Sequence, residues 1–365
     1  MGVVKLGDVA RESRLKWTKS KQDVPIVGLE HLIPDEIRFD AYDINTDNTF
    51  SKRFVKGQVL FGRRRAYQRK AAIAEFDGIC SGDITVIQAI ERKMVPELLP
   101  FIIQTPVFFD YANRGSAGSL SPRVKWEHLA DYEFELPPLE EQKILADKLW
   151  AAYRLKEAYK KLLVATDEMV KSQFIEMFGN CKSQGTLSSL CATFIDGDWI
   201  ESKDQSDNGI RLIQTGNVGF GFFKGREDKS RYITEETFKK LNCTEVVPGD
   251  ILISRLPDPI GRACIVPEGI GKAITAVDCT IVRLNATLLP EFLISFSKTA
   301  LYASQINKIK TGTTRLRVSR GNLGNVIIPI PPIESQHHFA AIAQQADKSK
   351  FELKQCIEHI DKVIK

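Results

Sequence analysis

One short stretch of the sequence has the residue types of a metal-dependent nuclease, with Asp83 followed by Glu91 and Lys93. Two carboxylates can hold a divalent cation against a phosphodiester, and a lysine can stabilise the charge that develops there. The chain has no G-x-x-x-x-G-K-[ST] phosphate loop and no G-x-S-x-G nucleophile motif, and GNVGFGFF (216–223) lacks the spacing of a dinucleotide motif. A pattern this short arises often by chance, so we expect no catalytic residues and no metal site.

A second set of residues has the composition of a nucleic-acid surface. No acidic residue occurs in 48–74 or in 292–333. The basic residues of these two segments are Lys52, Arg53, Lys56, Arg63, Arg64, Arg65, Arg69 and Lys70, then Lys298, Lys308, Lys310, Arg315, Arg317 and Arg320. Lysine and arginine bind phosphates, whereas arginine, glutamine and asparagine also recognise base edges. A basic run can equally be a solvated face, which is the alternative for each segment.

We expect DNA contacts within these segments and within the acid-free loop 111–126. In the first half of the chain the predicted contacts are Arg63, Arg64, Arg65, Gln68, Arg69, Arg114, Ser116 and Arg123. In the second half they are Arg255, Lys308, Lys310, Thr311, Thr313, Arg315 and Arg317. Several of these must contact phosphates, and the sequence alone does not separate them from residues that contact bases.

The elements that carry these residues occur twice. Residues 96–126 align without a gap on residues 290–320, at an offset of 194 that also places LPPLEEQ (136–142) on IPPIESQ (330–336). VKGQVLFGR (55–63) likewise matches VPGDILISR (247–255). A period this long indicates a tandem duplication of a whole domain rather than a solenoid of stacked repeats.

Each copy has the same order of predicted elements. Strands are predicted at β-branched runs such as QVLFG, ITVIQAI, ILISR and CTIVRL, which Gly, Asp and Pro bound. One helical stretch is then predicted at Pro96–Tyr111 and at Pro290–Ile306, each followed by a basic loop. A double proline precedes a long helix in both copies. The predicted segments are a first domain (1–137), a central helix (138–180), a second domain (181–331) and a C-terminal helix (332–365).

Both long helices carry an apolar stripe with heptad spacing, while their charges cancel. In the C-terminal helix the stripe consists of Ile342, Ala346, Leu353, Cys356, Ile360 and Val363, with Ser349 between them. The equivalent positions of the central helix include Ala152, Leu155, Tyr159, Leu162 and Met169. Matched stripes indicate that the two helices pack on each other as a coiled coil. The alternative is that each helix packs only on its own domain.

Composition limits the remaining function classes. The chain has 365 residues and a net charge of +5, which alone is weak support for any binding partner. Seven cysteines without a C-x-x-C pair indicate reduced thiols, and five scattered histidines give no zinc-ligand spacing. Charged residues interrupt every apolar run early, and the first residues do not form a secretory signal. We therefore expect a cytoplasmic protein that does not contact the membrane.

The duplicated order of elements resembles the specificity subunits of type I restriction-modification systems. The residues that carry the resemblance are LPPLEEQKILADKL (136–149) and IPPIESQHHFAAIA (330–343), which match the family's L-P-P-L-x-E-Q segment. VPGDILISR and GTTRLRVSRGNL (312–323) match as well, and the resemblance covers essentially the whole chain. Ser335 departs from the pattern, because the first copy has Glu141 at that position.

The resemblance implies an α+β fold with two similar mixed α/β target-recognition domains separated by an antiparallel pair of long coiled-coil helices. It further implies that each domain recognises one half of a bipartite double-stranded DNA target, and that the helices set the spacing between the halves. Two methyltransferase subunits would dock on this chain, and restriction subunits can complete the complex. S-adenosylmethionine, ATP and Mg²⁺ would bind those partners, so this chain is expected to bind no cofactor and to catalyse nothing.

Two alternatives from other classes stay open at this point. A self-contained nuclease would cut DNA as the purified chain with Mg²⁺, and would depend on Asp83. In the second copy Asp278 is retained, but Asn285, Ala286 and Thr287 occupy the positions where the Glu and Lys are expected. A scaffold protein would use the long helices to bind other proteins, without sequence-dependent DNA binding.

Overall fold

The computed structural model describes residues 2–118 and 120–364. Two compact units divide within the long helices, not at the double prolines. The first unit contains residues 1–161 together with 353–365, and the second contains 162–352. No helix in the described part of the chain is long and apolar enough to cross a membrane.

The first unit is built from short strands and helices. Its strands are β1 (Gly2–Lys5), β2 (Ala10–Glu12), β3 (Ile26–Val27), β4 (Lys52–Phe54), β5 (Val59–Gly62), β6 (Ala71–Ile73), β7 (Gly78–Cys80), β8 (Ile84–Ala89) and β9 (Glu133–Leu136). Its helices are α1 (Leu6–Val9), α2 (Leu99–Ile103), α3 (Pro106–Arg114), α4 (Trp126–Ala130) and the start of α5 (Leu139–Phe178).

The second unit has a similar set of elements. Its strands are β10 (Gln184–Thr186), β11 (Cys191–Asp196), β12 (Ile210–Ile213), β13 (Tyr232–Ile233), β14 (Ile251–Ser254), β15 (Ala263–Ile265), β16 (Ala273–Thr275), β17 (Cys279–Leu284) and β18 (Ile327–Pro329). Its helices are α6 (Glu235–Lys240), α7 (Pro290–Ser297), α8 (Ala300–Ile309), α9 (Arg320–Gly324) and most of α10 (Ile333–Ile364).

The sheets have matching topologies. Each unit has a four-stranded antiparallel sheet, ordered β2-β8-β5-β6 in the first and β11-β17-β14-β15 in the second. Each also has an antiparallel strand pair, β1 with β9 and β10 with β18. The three-stranded sheets both contain a parallel pair, β3 with β7 and β12 with β16, but their third strands lie on opposite sides. The duplication seen in the sequence is therefore a duplication of the fold, with one rearranged strand.

One inner strand of each four-stranded sheet, β5 in the first unit and β14 in the second, is buried on both faces. In β5, Val59 and Phe61 pack into one apolar cluster while Leu60 packs into another. In β14, Ile251 and Ile253 face one cluster and Leu252 faces another. Burial on both faces requires continuous apolar residues rather than alternation, which explains the unbroken apolar runs VLF (59–61) and ILI (251–253). The four strands predicted from these and similar runs are confirmed.

The predicted single helical stretch in each copy is interrupted. A threonine ends the first helix and begins the second, Thr105 before α3 and Thr299 before α8. Each hydroxyl accepts a hydrogen bond from the amide three residues later, from Phe108 N at 3.3 Å and from Tyr302 N at 3.2 Å. This is an N-cap, for which threonine is well suited, and it turns the chain between the two helices.

The same glutamine fastens each long helix to its domain. Gln142 and Gln336 are almost completely buried in the first turn of α5 and α10. Gln142 Oε1 accepts a hydrogen bond from Val95 N at 2.8 Å, and its Nε2 donates to Pro137 O at 2.8 Å and Lys93 O at 3.4 Å.

Gln336 makes the equivalent three contacts. Its Oε1 accepts from Leu289 N at 2.8 Å, and its Nε2 donates to Pro331 O at 2.9 Å and Thr287 O at 3.0 Å. We call each set the glutamine clasp. It joins the helix start, the double proline and the loop before the preceding helical segment.

The buried face of α5 differs from the predicted stripe by one position. Ala152 and Tyr159 are half-buried, whereas Leu155, Leu162 and Met169 are 45%, 50% and 49% exposed. Between residues 150 and 156 the buried residues are instead Trp150, Tyr153 and Lys156. Trp150 and Tyr153 pack with Ile37 and Phe101 of the first domain, so the domain sets the rotation of this part of the helix.

The predicted stripe of α10 is partly buried. Ala346 is buried and Ile342, Leu353 and Ile360 are half-buried, but Cys356 and Val363 are exposed. In the first unit Ile364 packs against the cluster of Ile37, Phe101, Trp150 and Tyr153, and Lys156 Nζ lies 2.6 Å from Asp361 Oδ1. In the second unit the rings of Phe174 and Phe339 pack edge to face, and Lys350 Nζ contacts Asp167 Oδ1 at 2.8 Å. Each long helix therefore contacts both its domain and residues of the other helix.

Replacing Gln336 with leucine is expected to destabilise the protein by about 2–4 kcal/mol, because one buried amide and two buried carbonyls lose their partner. Chemical denaturation followed by circular dichroism measures the change. Gln344→Leu, at an exposed position of the same helix, is the control. Equal stability of the two variants would contradict the role of the clasp.

Asp361→Ala is expected to destabilise the first unit by about 1–3 kcal/mol, because the Lys156 ammonium is buried and would lose its carboxylate. Glu358→Ala removes the same charge from an exposed position one turn earlier and is expected to change little. Thermal unfolding of both variants provides the comparison. A loss of stability in the Glu358 variant as large as in the Asp361 variant would show that the ion pair is not responsible.

Candidate nucleic-acid interface

In the first domain Asp83 holds two of the predicted arginines. The carboxylate lies directly before β8, where Oδ1 is 2.7 Å from Arg123 Nε and Oδ2 is 3.3 Å from Arg64 Nη1. Arg64 also donates from Nε and Nη2 to Ser121 Oγ, at 3.2 and 2.9 Å. We call these four residues the Asp83 cluster. Burial raises the pKa of Asp83, but the hydrogen bonds and charges of Arg123 and Arg64 together hold that pKa below its ordinary value.

Backbone hydrogen bonds tie the same segments together. Arg63 N donates to Asp83 O at 2.9 Å, and Val124 N donates to Arg63 O at 3.0 Å. Arg65 N donates to Pro122 O at 2.8 Å. The basic residues of 63–65 and the loop around Arg123 are therefore adjacent in space, although they are some sixty positions apart in the sequence.

The other predicted DNA contacts of the first domain differ in whether their side chains are free to bind a ligand. Arg65 and Arg114 are exposed, and within the described ranges neither side chain has a hydrogen bond or an ion pair. Gln68 is half-buried, and Ser116 Oγ donates to Ala112 O at 3.3 Å. Arg69 is engaged by the fold, since its Nε is 2.7 Å from Asp35 Oδ1 and its guanidinium lies over Phe109. Arg69 therefore supports the structure of the domain, and its contact with DNA stays a prediction.

Distant acids neutralise much of the first basic segment. Besides Arg64 and Arg69, Lys52 lies 3.8 Å from Glu12 and Arg53 lies 3.3 Å from Asp77. These acids lie outside 48–74, so a segment without acids in the sequence is not a surface without acids. The free positive charge of this domain is smaller than the sequence suggests, and Arg65 and Arg114 account for part of it.

In the second domain the basic residues lie on an exposed hairpin. Thr311 and Arg317 exchange two backbone hydrogen bonds of 2.9 Å, which close the loop 311–317. Gly312 has a φ of 103°, and a Cβ there would lie 2.6 Å from Arg315 O, so the turn requires glycine. Ala117 and Arg123 form the same bridge in the first domain, where Gly118 has a φ of 117°.

Every residue from 311 to 317 is exposed, including Thr311, Thr313, Arg315 and Arg317. Among the described residues the side chains of Arg315 and Arg317 have no ion pair, and the same holds for exposed Lys308. Lys310 differs, because its Nζ is 2.7 Å from Asp258 Oδ1. We call loop 311–317 the basic hairpin. It is the part of the predicted interface whose positive charge is most available to a ligand.

Arg255 positions this hairpin. Its amide donates to Asp278 O at 2.9 Å, as Arg63 does to Asp83 in the first domain. Its guanidinium donates to Val318 O at 3.2 Å and to Val277 O at 2.6 Å, and its Nε lies 3.3 Å from Asp196 Oδ1. The sequence predicts a DNA contact here, but the structure commits this guanidinium to three chain segments. It therefore holds the base of the hairpin.

The residues of the nuclease hypothesis are separated. Asp83 precedes β8 and Glu91 follows it, so a strand of six residues, roughly 20 Å long, lies between them. Lys93 Nζ donates to Asp8 O at 2.9 Å, and Asp83 is held by two arginines. The three side chains cannot surround one metal ion. The sequence did not reveal what Asp83 does, because its partners Arg64 and Arg123 lie in other segments.

One group of possible metal ligands occurs elsewhere in the described residues, at Glu30, His31 and Asp43. The two carboxylates are on exposed residues, whereas His31 is half-buried. Nδ1 of His31 accepts a hydrogen bond from Gly28 N at 2.9 Å, and its Nε2 lies 3.7 Å from Asp43 Oδ1. Because one ring nitrogen of His31 already serves the backbone of the short helical turn Leu29–His31, the group is explained by local structure.

The comparisons with known proteins agree with this architecture. The profile of the type I restriction modification DNA specificity domain matches residues 1–163 and 185–361. The chain therefore belongs to this family, whose members are the non-catalytic DNA-recognition subunits of type I restriction-modification systems.

Individual relatives are distant. The type I restriction enzyme EcoDI specificity subunit of Escherichia coli is 32% identical over 89 residues, which are 24% of this chain and 19% of that protein. The EcoBI specificity subunit of the same species is 22% identical over 272 residues, 66% of this chain and 56% of that protein. This chain thus matches about a fifth of the length of the EcoDI subunit and just over half of the length of the EcoBI subunit.

A solved structure resembles the whole chain. It comes from work on complex assembly and conformational transition of the type I R-M system, and has a TM-score of 0.62 at 19% identity. The likeness covers 100% of this chain and 95% of that one, and it supports the fold.

Proposed function

We propose that this chain recognises a bipartite double-stranded DNA target, with one domain for each half. The observation that carries the proposal is the repetition of one arrangement in both domains. In each, a glycine-dependent hairpin ending in Arg123 or Arg317 is tied to a central strand end at Arg63 or Arg255. Two copies of one recognition device on one chain suit a target with two specified halves.

We further propose that α5 and α10 run antiparallel and set the spacing between the halves. Two observations, each within one unit, support this arrangement. In the second unit Asp167 of α5 contacts Lys350 of α10, and Phe174 of α5 contacts Phe339 of α10. Later residues of α5 therefore contact earlier residues of α10, as in an antiparallel pair. In the first unit Ile364 packs against the apolar cluster that contains Tyr153, and Lys156 contacts Asp361, with the same trend. Helices of 40 and 32 residues are roughly 60 and 48 Å long, which is enough to span one ~34 Å turn of B-DNA.

The partners follow from the same proposal. Two methyltransferase subunits would dock on the helices and domains and bring S-adenosylmethionine, and restriction subunits would bring ATP and Mg²⁺. The chain itself would bind none of these cofactors and would work in the cytoplasm. The separation of Asp83 from Glu91 leaves the nuclease alternative without an assembled site. The scaffold alternative would leave the exposed arginines of the basic hairpin without a role.

The most direct test is co-expression with the methyltransferase subunit of the same system, followed by genome-wide mapping of methylated adenines. A split motif with an unspecified spacer is expected. Exchange of residues 1–137 for the first domain of another family member is expected to change only one half of that motif. Methylation without sequence preference would contradict the proposal, and a change in both halves would contradict its modular form.

Replacement of Arg315 and Arg317 by alanine is expected to weaken binding of all DNA sequences. The slope of log affinity against log salt concentration should fall by about one for each phosphate that the variant no longer neutralises. Lys239→Ala/Lys240→Ala on α6 removes the same charge from another exposed site and is the matched control. Titrations at several salt concentrations with the assembled complex measure both. An unchanged affinity and slope in the arginine variant would show that the basic hairpin does not contact DNA.

A further inference from the structure

The second domain exposes a tryptophan that the first domain covers. Trp199 is 71% exposed, so most of this large aromatic side chain is available to a ligand or partner. It begins the pattern W-x-x-S-K, formed by Trp199, Ser202 and Lys203. The first domain has the same pattern at Trp17, Ser20 and Lys21. The two tryptophans are therefore equivalent positions of the duplicated domain.

In the first domain a strand packs beside this tryptophan. Trp17 N donates to Ser51 O at 2.8 Å, and Arg53 N donates to Leu15 O at 2.9 Å, so β4 pairs with the tryptophan loop. On its other side β4 pairs with β7. Trp17 is half-buried against the cluster of Val24, Ile26 and Ile79, with the Arg53 guanidinium 5.8 Å from the centroid of its ring.

The second domain lacks this strand among its described residues. Asp198 N donates directly to Thr275 O at 2.8 Å, at the end of β16, which corresponds to β7. The third strand of this sheet, β13, instead pairs with β12 on the far side. An open cavity of about 620 Å³ lies beside Trp199. We call it the Trp199 cavity.

The lining of the Trp199 cavity has the chemistry of base recognition. It includes Trp199, Gln205, Gln214 and Arg231, and Arg231 Nη1 donates to Gln205 Oε1 at 3.3 Å. Glutamine amides pair with adenine, arginine pairs with guanine, and an apolar face contacts the thymine methyl group. The one carboxylate of the lining, Glu201, is paired with Lys203 at 2.8 Å.

Arg255 links the basic hairpin to the strand that leads to Trp199. The guanidinium of Arg255 contacts Asp196, three residues before Trp199, and Val318, the residue after the hairpin. One largely buried side chain thus fixes the tryptophan loop and the hairpin at the same edge of the domain.

We propose that the Trp199 cavity is a specificity-determining site that contacts bases of the half-target recognised by the second domain. This inference rests on the proposed function. Trp199 supplies an apolar face, while Gln205, Gln214 and Arg231 recognise base edges. A protein partner is the competing occupant, but two amides and a guanidinium around a single aromatic ring suit a base better than an apolar protein surface.

The experiment uses the assembled complex of this chain with its methyltransferase, and two duplexes. One carries the methylated target, and the other differs only in the half assigned to the second domain. Trp199→Ala is expected to lower affinity for the target roughly 5- to 150-fold, and to leave affinity for the altered duplex and the salt slope unchanged. Trp199→Phe should retain part of the preference. Phe220→Ala, which removes another exposed aromatic ring of this domain, is the control and should change neither affinity.

Gln214→Ala tests the base-edge contacts. Methylation mapping is expected to show relaxed preference in the second domain's half of the motif and an unchanged first half. An unchanged preference in both the Trp199 and Gln214 variants would overturn the inference. So would an equal drop in affinity for both duplexes with a lower salt slope, which indicates a phosphate contact. Dissociation of methyltransferase from the complex, measured by gel filtration, would assign the cavity to a protein contact and also overturn it.

The two proposals can fail separately. If the unmodified complex did not distinguish the two duplexes, the proposed function itself would be wrong. A different set of results would leave the proposed function intact. The unmodified complex would distinguish the two duplexes, and the Arg315/Arg317 variant would bind both more weakly. If the Trp199 variant then behaved as the unmodified chain, only the inference about the cavity would be wrong.

Discussion

The glutamine clasp is the constraint on which each half of this molecule depends. A long helix attached to a domain through a proline-rich connection could point in many directions. One buried amide removes that freedom, because its three hydrogen bonds join the helix start, the connection and the domain loop. The partners are backbone atoms, so the side chains around the clasp can vary without breaking it. This explains how two copies with different recognition surfaces keep the same junction.

Charge pairing separates the basic residues that build the domains from those available to a ligand. Arg255 fixes a hairpin, and Asp83 fixes two arginines. Arg315 and Arg317 remain exposed on a loop whose shape a single glycine permits. Rigid support beneath a charged loop favours recognition, since a surface that is already ordered loses less entropy when it binds.

The sequence predicted the repeated architecture well because its signals are local. Double prolines, apolar strand runs and the order of elements all depend on neighbouring residues, and the helices begin at Leu139 and Ile333 as these signals indicate. The break at Thr105 and Thr299 was missed, although threonine at a helix start is a recognisable cap.

Features that depend on distant residues were not predictable in the same way. The rotation of α5 is set by Trp150 packing on Phe101, which no heptad pattern contains. The neutralisation of Arg69 by Asp35 and of Arg53 by Asp77 arises only after folding. The difference between Trp17 and Trp199 likewise depends on where one strand pairs, and the identical W-x-x-S-K patterns give no sign of it.

The composition of the first unit has a consequence for biosynthesis. Residues 353–364 belong to this unit, and Ile364 packs against the apolar cluster that contains Trp150 and Tyr153. About 190 residues of the second unit must therefore be synthesised after residue 161 before the first unit can be completed. At roughly 5–20 residues per second the interval is on the order of 10–40 s. Throughout it, part of the Trp150 surface would stay uncovered on the nascent chain, so the N-terminal half emerges first from the ribosome but is the last to finish folding.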